Sequence, residues 1–153
     1  MADPDQPTPD QARWAEEKRA FAELLARHGV SVQIPYPHSE CPLGWVALVD
    51  ELLRGLASIG VRELAQIKSK FAELRVYLPP GAPAEARALI ERATERSRVT
   101  CERCGGPSEI RKQRGWYAGL CDACVAAERR EQILAASARV MKAHDETFRK
   151  LAQ

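Results

Sequence analysis

Two cysteine pairs constrain this chain more than any other feature of its sequence. Cys101 and Cys104 form one Cys-x2-Cys pair, and after sixteen intervening residues Cys121 and Cys124 form a second. A two-residue gap lets one turn of backbone present two sulfurs to the same ion, and zinc takes four thiolate ligands in a tetrahedron at about 2.3 Å. The spacing therefore predicts one structural zinc ion held by these four side chains.

The residues around the cysteines suggest how the site folds. Two glycines follow Cys104 and allow a tight turn, whereas the second pair runs directly into a helical pattern. We therefore expect Cys121 and Cys124 on the first turn of a helix, where backbone N–H groups stabilise thiolates. Between the pairs, Glu109–Lys112 and Trp116–Leu120 are expected to form a hairpin. A knuckle, a hairpin and a helix in this order indicate a treble-clef-like module.

Two other interpretations of the cysteines are a pair of disulfides and reduced thiols without metal. The acidic N-terminus lacks the basic and apolar regions of a secretory signal, and no apolar run approaches the roughly 18 residues of a membrane helix. A cytoplasmic location is therefore expected, where disulfides are rare. Four cysteines also close the metal's coordination shell, which indicates a structural rather than a catalytic ion. Cys41 stands apart and is interpreted as a small apolar residue, or else as a reactive thiol.

Hydrophobic periodicity predicts an α+β fold: a small antiparallel sheet with helices, followed by the treble-clef-like module and a long C-terminal helix. Asp10 is expected to cap the first helix. The predicted hairpin in the core pairs Leu64–Lys68 with Leu74–Leu78 through a connection at Ser69–Glu73. The expected organisation is a disordered lead-in at 1–10, an α+β core at 11–98, the four-cysteine zinc module at 99–128 and the C-terminal helix at 129–153.

Three blocks of this sequence resemble those of a family of small uncharacterised bacterial and phage proteins. Cys41-Pro-Leu-Gly-Trp45 is similar to that family's Cys-x-x-Gly-Trp helix start. Lys68-Ser-Lys-Phe-Ala-Glu-Leu-Arg-Val-Tyr77 is similar to its Lys-x-Lys-Phe-Gly-Gly-Leu-Arg-Phe-Tyr signature, with Ala and Glu in place of the two glycines. Cys101–Pro107 and Leu120–Cys124 resemble its cysteine module. The resemblance covers roughly residues 38–125 and implies a zinc site, but it supplies no function.

Basic residues concentrate around the cysteine module, although the whole chain carries a net charge of only +2. Residues 96–130 contain eight Lys or Arg against four Asp or Glu, which leaves +4 locally. Arg111, Lys112 and Arg114 lie beside Trp116, and basic side chains interleaved with aromatic rings can hold phosphates and stack on bases. These four residues are candidate contacts for nucleic acid or another partner. In the alternative interpretation the hairpin is solvated and Trp116 packs over the zinc site.

The last helix carries a second candidate surface. Leu134, Met141 and Phe148 recur every seven residues, which suits either a seam for a second copy of the chain, giving a homodimer, or packing onto the protein's own core. No catalytic residue is predicted, because nothing in the sequence assembles a nucleophile, a base and an oxyanion donor. We expect a non-catalytic binding protein for a protein partner, of inhibitor, immunity or phage accessory type. The alternative is a nucleic-acid-binding protein that uses the basic zinc hairpin.

Overall fold

The structure, a computed structural model, describes residues 8–113 and 115–151 of the chain, without the side chains of Pro9, Gln113, Glu146 and Phe148. Residues 1–7 of the lead-in predicted at 1–10 therefore lie outside the described residues. The chain divides after Cys121 into two compact units. Among the described residues, the first contains three α-helices, one 3₁₀ turn and six short strands, and the second is a single long helix. The predicted α+β class is confirmed.

Helix α1 spans Pro9–His28 and begins earlier than the sequence suggests. Thr8, not Asp10, is its N-cap. The Thr8 Oγ1 accepts a hydrogen bond from the Gln11 backbone N–H at 3.3 Å, and the Gln11 Oε1 accepts one from the Thr8 N–H at 2.8 Å. This capping box satisfies two N–H groups that have no partner inside the helix, so residues 8–10 belong to the helix start and not to a lead-in.

Helix α2 forms the centre of the first unit. A short 3₁₀ turn at Leu43–Trp45 leads into α2 at Val46–Ser58, and α3 follows later at Ala84–Ser97. Both α1 and α3 pack against α2. The buried side chains of α2 recur at three- and four-residue spacing, as expected for a helix covered along one face: they are Leu48, Val49, Leu52, Leu53 and Leu56.

The strands pair locally. Strands β1 (Ser31–Val32) and β2 (Glu63–Leu64) make a short parallel pair, while β3 (Gln66–Lys70) and β4 (Glu73–Tyr77) form the predicted antiparallel hairpin. The connection is shorter than expected, because only Phe71 and Ala72 lie between the strands. Both have positive φ angles, 56° and 60°, as the central residues of a type I′ turn do. Strands β5 (Glu109–Gln113) and β6 (Trp116–Leu120) form a second hairpin.

Cys41 is part of the core of the first unit. Its side chain is 1% exposed and lies among the buried apolar residues of α1, α2 and the β3–β4 hairpin. Burial, reinforced by the charges of Glu17 and Glu40, raises the pKa of the Cys41 thiol to about 12. A neutral thiol of this kind behaves as a small apolar residue, which agrees with the first interpretation of Cys41 from the sequence.

Asp50 joins α1 to α2 through a cluster of charges. Its carboxylate lies 2.8 Å from Arg27, 3.0 Å from His28 Nε2 and 2.6 Å from Arg54. The hydrogen bond with His28, followed by those from Arg27 and Arg54, holds the pKa of Asp50 well below its usual range. A carboxyl whose pKa is lowered by folding adds stability above its unfolded pKa of about 3.9, and this contribution is lost as the pH falls below that value.

We expect Asp50→Asn to lower the free energy of unfolding at neutral pH by about 1.5–3 kcal/mol, the range for a hydrogen bond to a charged group. The difference between variant and wild type should shrink as the pH falls below about 4. Urea unfolding at several pH values measures both effects. Glu51→Gln is the control, since that carboxylate also pairs with an arginine, Arg96, but is 61% exposed. An equal loss of stability in both variants would contradict this role for Asp50.

The second unit is helix α4, which runs without interruption over Asp122–Leu151. The predicted long C-terminal helix is therefore present and begins inside the predicted zinc module. Within the described part of the chain, no helix carries an apolar stretch long enough to span a membrane.

Candidate metal centre

The four paired cysteines lie together. The Sγ atoms of Cys101, Cys104, Cys121 and Cys124 are all within 4.8 Å of one another. The Sγ atoms of Cys104 and Cys121 are 3.7 Å apart, well beyond the roughly 2.05 Å of a disulfide bond. Ligands placed at about 2.3 Å in a tetrahedron are about 3.8 Å from each other. The cluster therefore has the dimensions of a four-thiolate metal site, and these residues can hold a metal ion.

The first pair lies on a tight turn of backbone at Cys101–Gly106, here called the knuckle. The Cys101 N–H donates to the Gly106 carbonyl at 2.7 Å, and the Gly105 N–H donates to the Cys101 carbonyl at 2.9 Å. Gly105 has a φ of 76°, a conformation that side chains disfavour. The Gly106 N–H points at the Cys104 Sγ from 3.4 Å. The two glycines therefore act as the sequence suggested, one by turning the chain and the other by donating to a ligand sulfur.

The second pair departs slightly from the prediction. Cys121 follows the end of β6 and lies just before α4, whereas only Cys124 is on the first turn of that helix. The Cys121 N–H donates to the Cys101 Sγ at 3.4 Å. The hydrogen bonding of the β5–β6 hairpin continues as far as Leu120, so Cys121 still belongs to the extended chain and links the two pairs through its backbone.

Backbone donors prepare Cys101 to bind a cation. Burial of this side chain opposes its ionisation, but N–H groups of Cys121, Cys104 and Arg103 donate to its sulfur and lower the pKa of Cys101 to about 6. A thiol with this pKa is mostly thiolate at neutral pH, and the thiolate is the form that binds metal. The lowered pKa of Cys101 and the spacing of the four sulfur atoms thus both suit a bound metal cation.

The knuckle is held by the segment that precedes α2, which the sequence analysis treated only as a helix start. The Gly44 N–H donates to the Glu102 carbonyl at 2.8 Å, and the buried Trp45 donates from Nε1 to the Thr100 carbonyl at 2.9 Å. A Cβ atom on Gly44 would lie only 2.0 Å from the Cys101 carbonyl oxygen. Because Gly44 has no side chain, its backbone packs directly against the backbone of the knuckle. The Gly44-Trp45 pair therefore attaches the metal centre to the core.

Glu102 joins the knuckle to both hairpins. Its N–H donates to the Gly119 carbonyl at 2.7 Å, while its Oε1 accepts hydrogen bonds from the Gly119 N–H at 3.2 Å and from the Ser69 hydroxyl at 3.5 Å. Burial raises the pKa of Glu102 to about 7, although these two hydrogen bonds oppose the rise. The sequence analysis counted Glu102 only as one local charge, because its partners are distant along the chain.

The predicted contact residues on the β5–β6 hairpin do not all share a surface. Trp116 is 80% exposed, so the interpretation in which it packs over the metal site is wrong. Lys112 pairs with Tyr117 across the strands, whereas Arg111 pairs with Ala118 on the opposite face of the hairpin. Arg114 lies outside the described residues.

An unpredicted contact links the two hairpins. The ring of Phe71, in the β3–β4 turn, meets the ring of Tyr117 edge to face, with 6.1 Å between centroids. Both rings remain largely accessible, at 61% and 51% exposed. The sequence offered one signal, the position of Phe71 at a turn, where a large apolar side chain cannot easily be buried.

The candidate interface on α4 is accessible where it is described. Leu134 and Met141 are 63% and 69% exposed. The side chain of Phe148 lies outside the described residues.

Comparisons with protein-family models, with curated proteins and with solved structures found no match for this chain. The family resemblance therefore stays a prediction, and the functional argument depends on the geometry alone.

Proposed function

We propose that the four-cysteine cluster holds one structural zinc ion per chain. Four thiolates are soft ligands, and a closed tetrahedral set of them is typical of structural zinc. The S–S spacing of 3.7 Å between Cys104 and Cys121 supports this assignment. A closed shell leaves no position for substrate, so the ion's role is to fix the knuckle and the β5–β6 hairpin.

We further propose that the protein binds single-stranded nucleic acid. The proposed site is the two-hairpin surface, which combines exposed aromatic rings with lysine side chains from both hairpins. It consists of Lys68, Lys70, Phe71, Lys112 and Tyr117. The observation that carries the proposal is the contact between Phe71 and Tyr117, because it brings two separate basic and aromatic segments into one accessible surface.

The cations on this surface are placed beside aromatic rings. The Nζ of Lys70 lies 5.4 Å from the Phe71 ring centroid, and that of Lys68 lies 5.8 Å from the ring of Tyr77. Lys112 is directly across the strands from Tyr117. Aromatic faces stack on bases of any sequence, while neighbouring ammonium groups neutralise the phosphates. This arrangement suits a strand whose bases are unpaired.

The acidic side chain opposite Lys70 does not cancel the charge of that lysine. Glu73, opposite Lys70 in the β3–β4 hairpin, pairs with Arg75 at 2.6 Å and with Arg98 at 2.8 Å. Its negative charge is thus balanced by arginines, which leaves Lys70 available for a polyanion, whereas Lys68 also interacts with the carboxyl group of Glu40. The protein-partner function stays a prediction from the sequence, and the geometry supports the nucleic-acid alternative better.

We expect the protein to bind a single-stranded homopolymer of about 20 nucleotides with an affinity that falls steeply between about 50 and 200 mM salt. Replacing Lys68, Lys70 and Lys112 together by alanine should reduce the magnitude of the log–log salt slope by about 2, since each phosphate contact to a single strand contributes about 0.7. Phe71→Asn and Tyr117→Ala should each weaken binding by roughly 5- to 150-fold, corresponding to about 1–3 kcal/mol per stacked base. Fluorescence anisotropy measures these quantities.

Asparagine is chosen at Phe71 because it tolerates the left-handed turn conformation and removes only the ring. Arg87→Ala combined with Arg92→Ala is the charge control on α3, where both side chains are exposed, and it should change the salt slope far less than the lysine variant does. Zinc content should be unchanged in every variant. Absent binding, or binding that the surface variants and the control weaken equally, would show the proposal to be wrong. Tighter binding to duplex than to single strand would contradict the stacking mechanism.

A further inference from the structure

Helix α4 carries an exposed apolar stripe along one side, here called the α4 face. Its members are between 57% and 78% exposed: Ile133, Leu134, Val140, Met141 and Leu151. At 100° per residue they fall within a sector of about 120°, the width of a helix face that is normally covered. Glu131, Arg139 and Lys142 lie on the opposite side. Ser137 and His144 fall in the same sector, so the stripe is a mainly apolar face that includes two polar residues.

We propose that the α4 face binds the same face of a second copy of this chain, so that the protein is a homodimer with paired α4 helices. Burying one large apolar side chain removes up to roughly 60–120 Å² from water. Five such residues from each of two chains, on average about two-thirds exposed, give roughly 400–800 Å². This is the size of a weak, reversible interface.

A second copy fits because the face is complementary to itself. Leu134 and Met141 are one heptad apart and occupy equivalent a positions, with Ile133 and Val140 one residue before them at g positions. In a parallel pair, each g residue lies beside an e residue of the other chain. The g residues Ile133 and Val140 are uncharged, so their contacts with the e residues of the other chain do not bring like charges together. A two-fold axis then lets the same stripe cover itself.

The test is the mass of the full-length zinc-loaded protein in solution, measured by sedimentation equilibrium over a wide range of concentration. We expect a reversible monomer–dimer equilibrium. Met141→Glu should weaken dimerisation at least ten-fold, because it places two carboxylates in the seam. Lys142→Glu, a charge change on the opposite side of the same helical turn, should leave the dissociation constant within about two-fold.

Glutamate favours helix, so Met141→Glu should keep the helical circular dichroism of the wild type. Leu134→Ala provides a second variant, which removes apolar area without adding charge and should also weaken the dimer. A wild type that stays monomeric at all concentrations would overturn the proposal. A dimer that Met141→Glu and Lys142→Glu weaken equally would also overturn it. So would a monomer in which hydrogen exchange shows that the chain's own core covers the α4 face.

Discussion

Removal of the metal should disorder residues 99–121 while the helical core stays folded. The knuckle and the β5–β6 hairpin are short, and of their described side chains only Cys101 and Leu120 belong to the buried apolar set. Zinc binding to a four-cysteine site contributes on the order of 10 kcal/mol or more, which is folding free energy for such a segment. The core around α2 buries its own set of apolar side chains, so we expect it to stay folded without the ion.

Hydrogen exchange with and without a chelator measures the two regions separately. Amides of β5 and β6 should lose protection, whereas those in the middle of α2 should keep it. The amide of Gly44 is the informative exception inside the core unit, because its acceptor is the Glu102 carbonyl of the knuckle. Uniform loss of protection along the chain would refute this division.

Cysteine variants test the ligands themselves. Cys104→Ser and Cys121→Ser should each reduce the bound zinc from one ion per chain to nearly none, because three remaining thiolates hold the ion far less tightly. Metal analysis of the purified proteins measures this. Cys41→Ser is the control, since Cys41 is buried in the core and is not part of the cluster. Full zinc in both ligand variants, or none in the wild type, would contradict the assignment.

Gly44→Ala should be among the most damaging single substitutions in the protein. The new Cβ would lie 2.0 Å from the Cys101 carbonyl oxygen, 2.6 Å from the Glu102 carbonyl carbon and 2.7 Å from the Gly105 nitrogen. All three are backbone atoms of the knuckle, so no side-chain rotation relieves the overlap. Overpacking of a well-packed site costs about 1–3 kcal/mol and occasionally more, and displacement of the knuckle should place this variant at or above the upper end.

We expect Gly44→Ala to lower the midpoint of thermal unfolding and also to weaken zinc binding, because the clash moves a ligand-bearing loop. Gly60→Ala is the control: it has a φ of 84° but nothing within 4 Å of the added Cβ. That variant should lose only about 1–2 kcal/mol from its left-handed backbone conformation and keep its zinc affinity. Differential scanning calorimetry and competition with a zinc indicator compare the two. Equal effects would mean that the contact between Gly44 and the knuckle is not important.

The metal site could be read from the sequence because its determinants are local. Each Cys-x2-Cys pair lies within a few residues of sequence, and the two glycines after Cys104 predict the tight turn of the knuckle. The helices and the two hairpins were predicted for the same reason, since periodicity and turn residues act over a few positions. The boundary errors were small and also local: Thr8 caps α1 in place of Asp10, and Cys121 lies between β6 and α4 and not on the first turn of the helix.

The tertiary structure alone decided which distant segments meet. Gly44 lies 57 positions before Cys101 in the sequence, and Phe71 lies 46 positions before Tyr117, so no periodicity links either pair. Both contacts arise because hairpins and helices pack their buried faces together, and the residues left at the edges then become neighbours. The sequence determined the ligands and the elements, whereas packing placed the knuckle on the Gly-Trp pair and joined the two hairpins into one exposed aromatic surface.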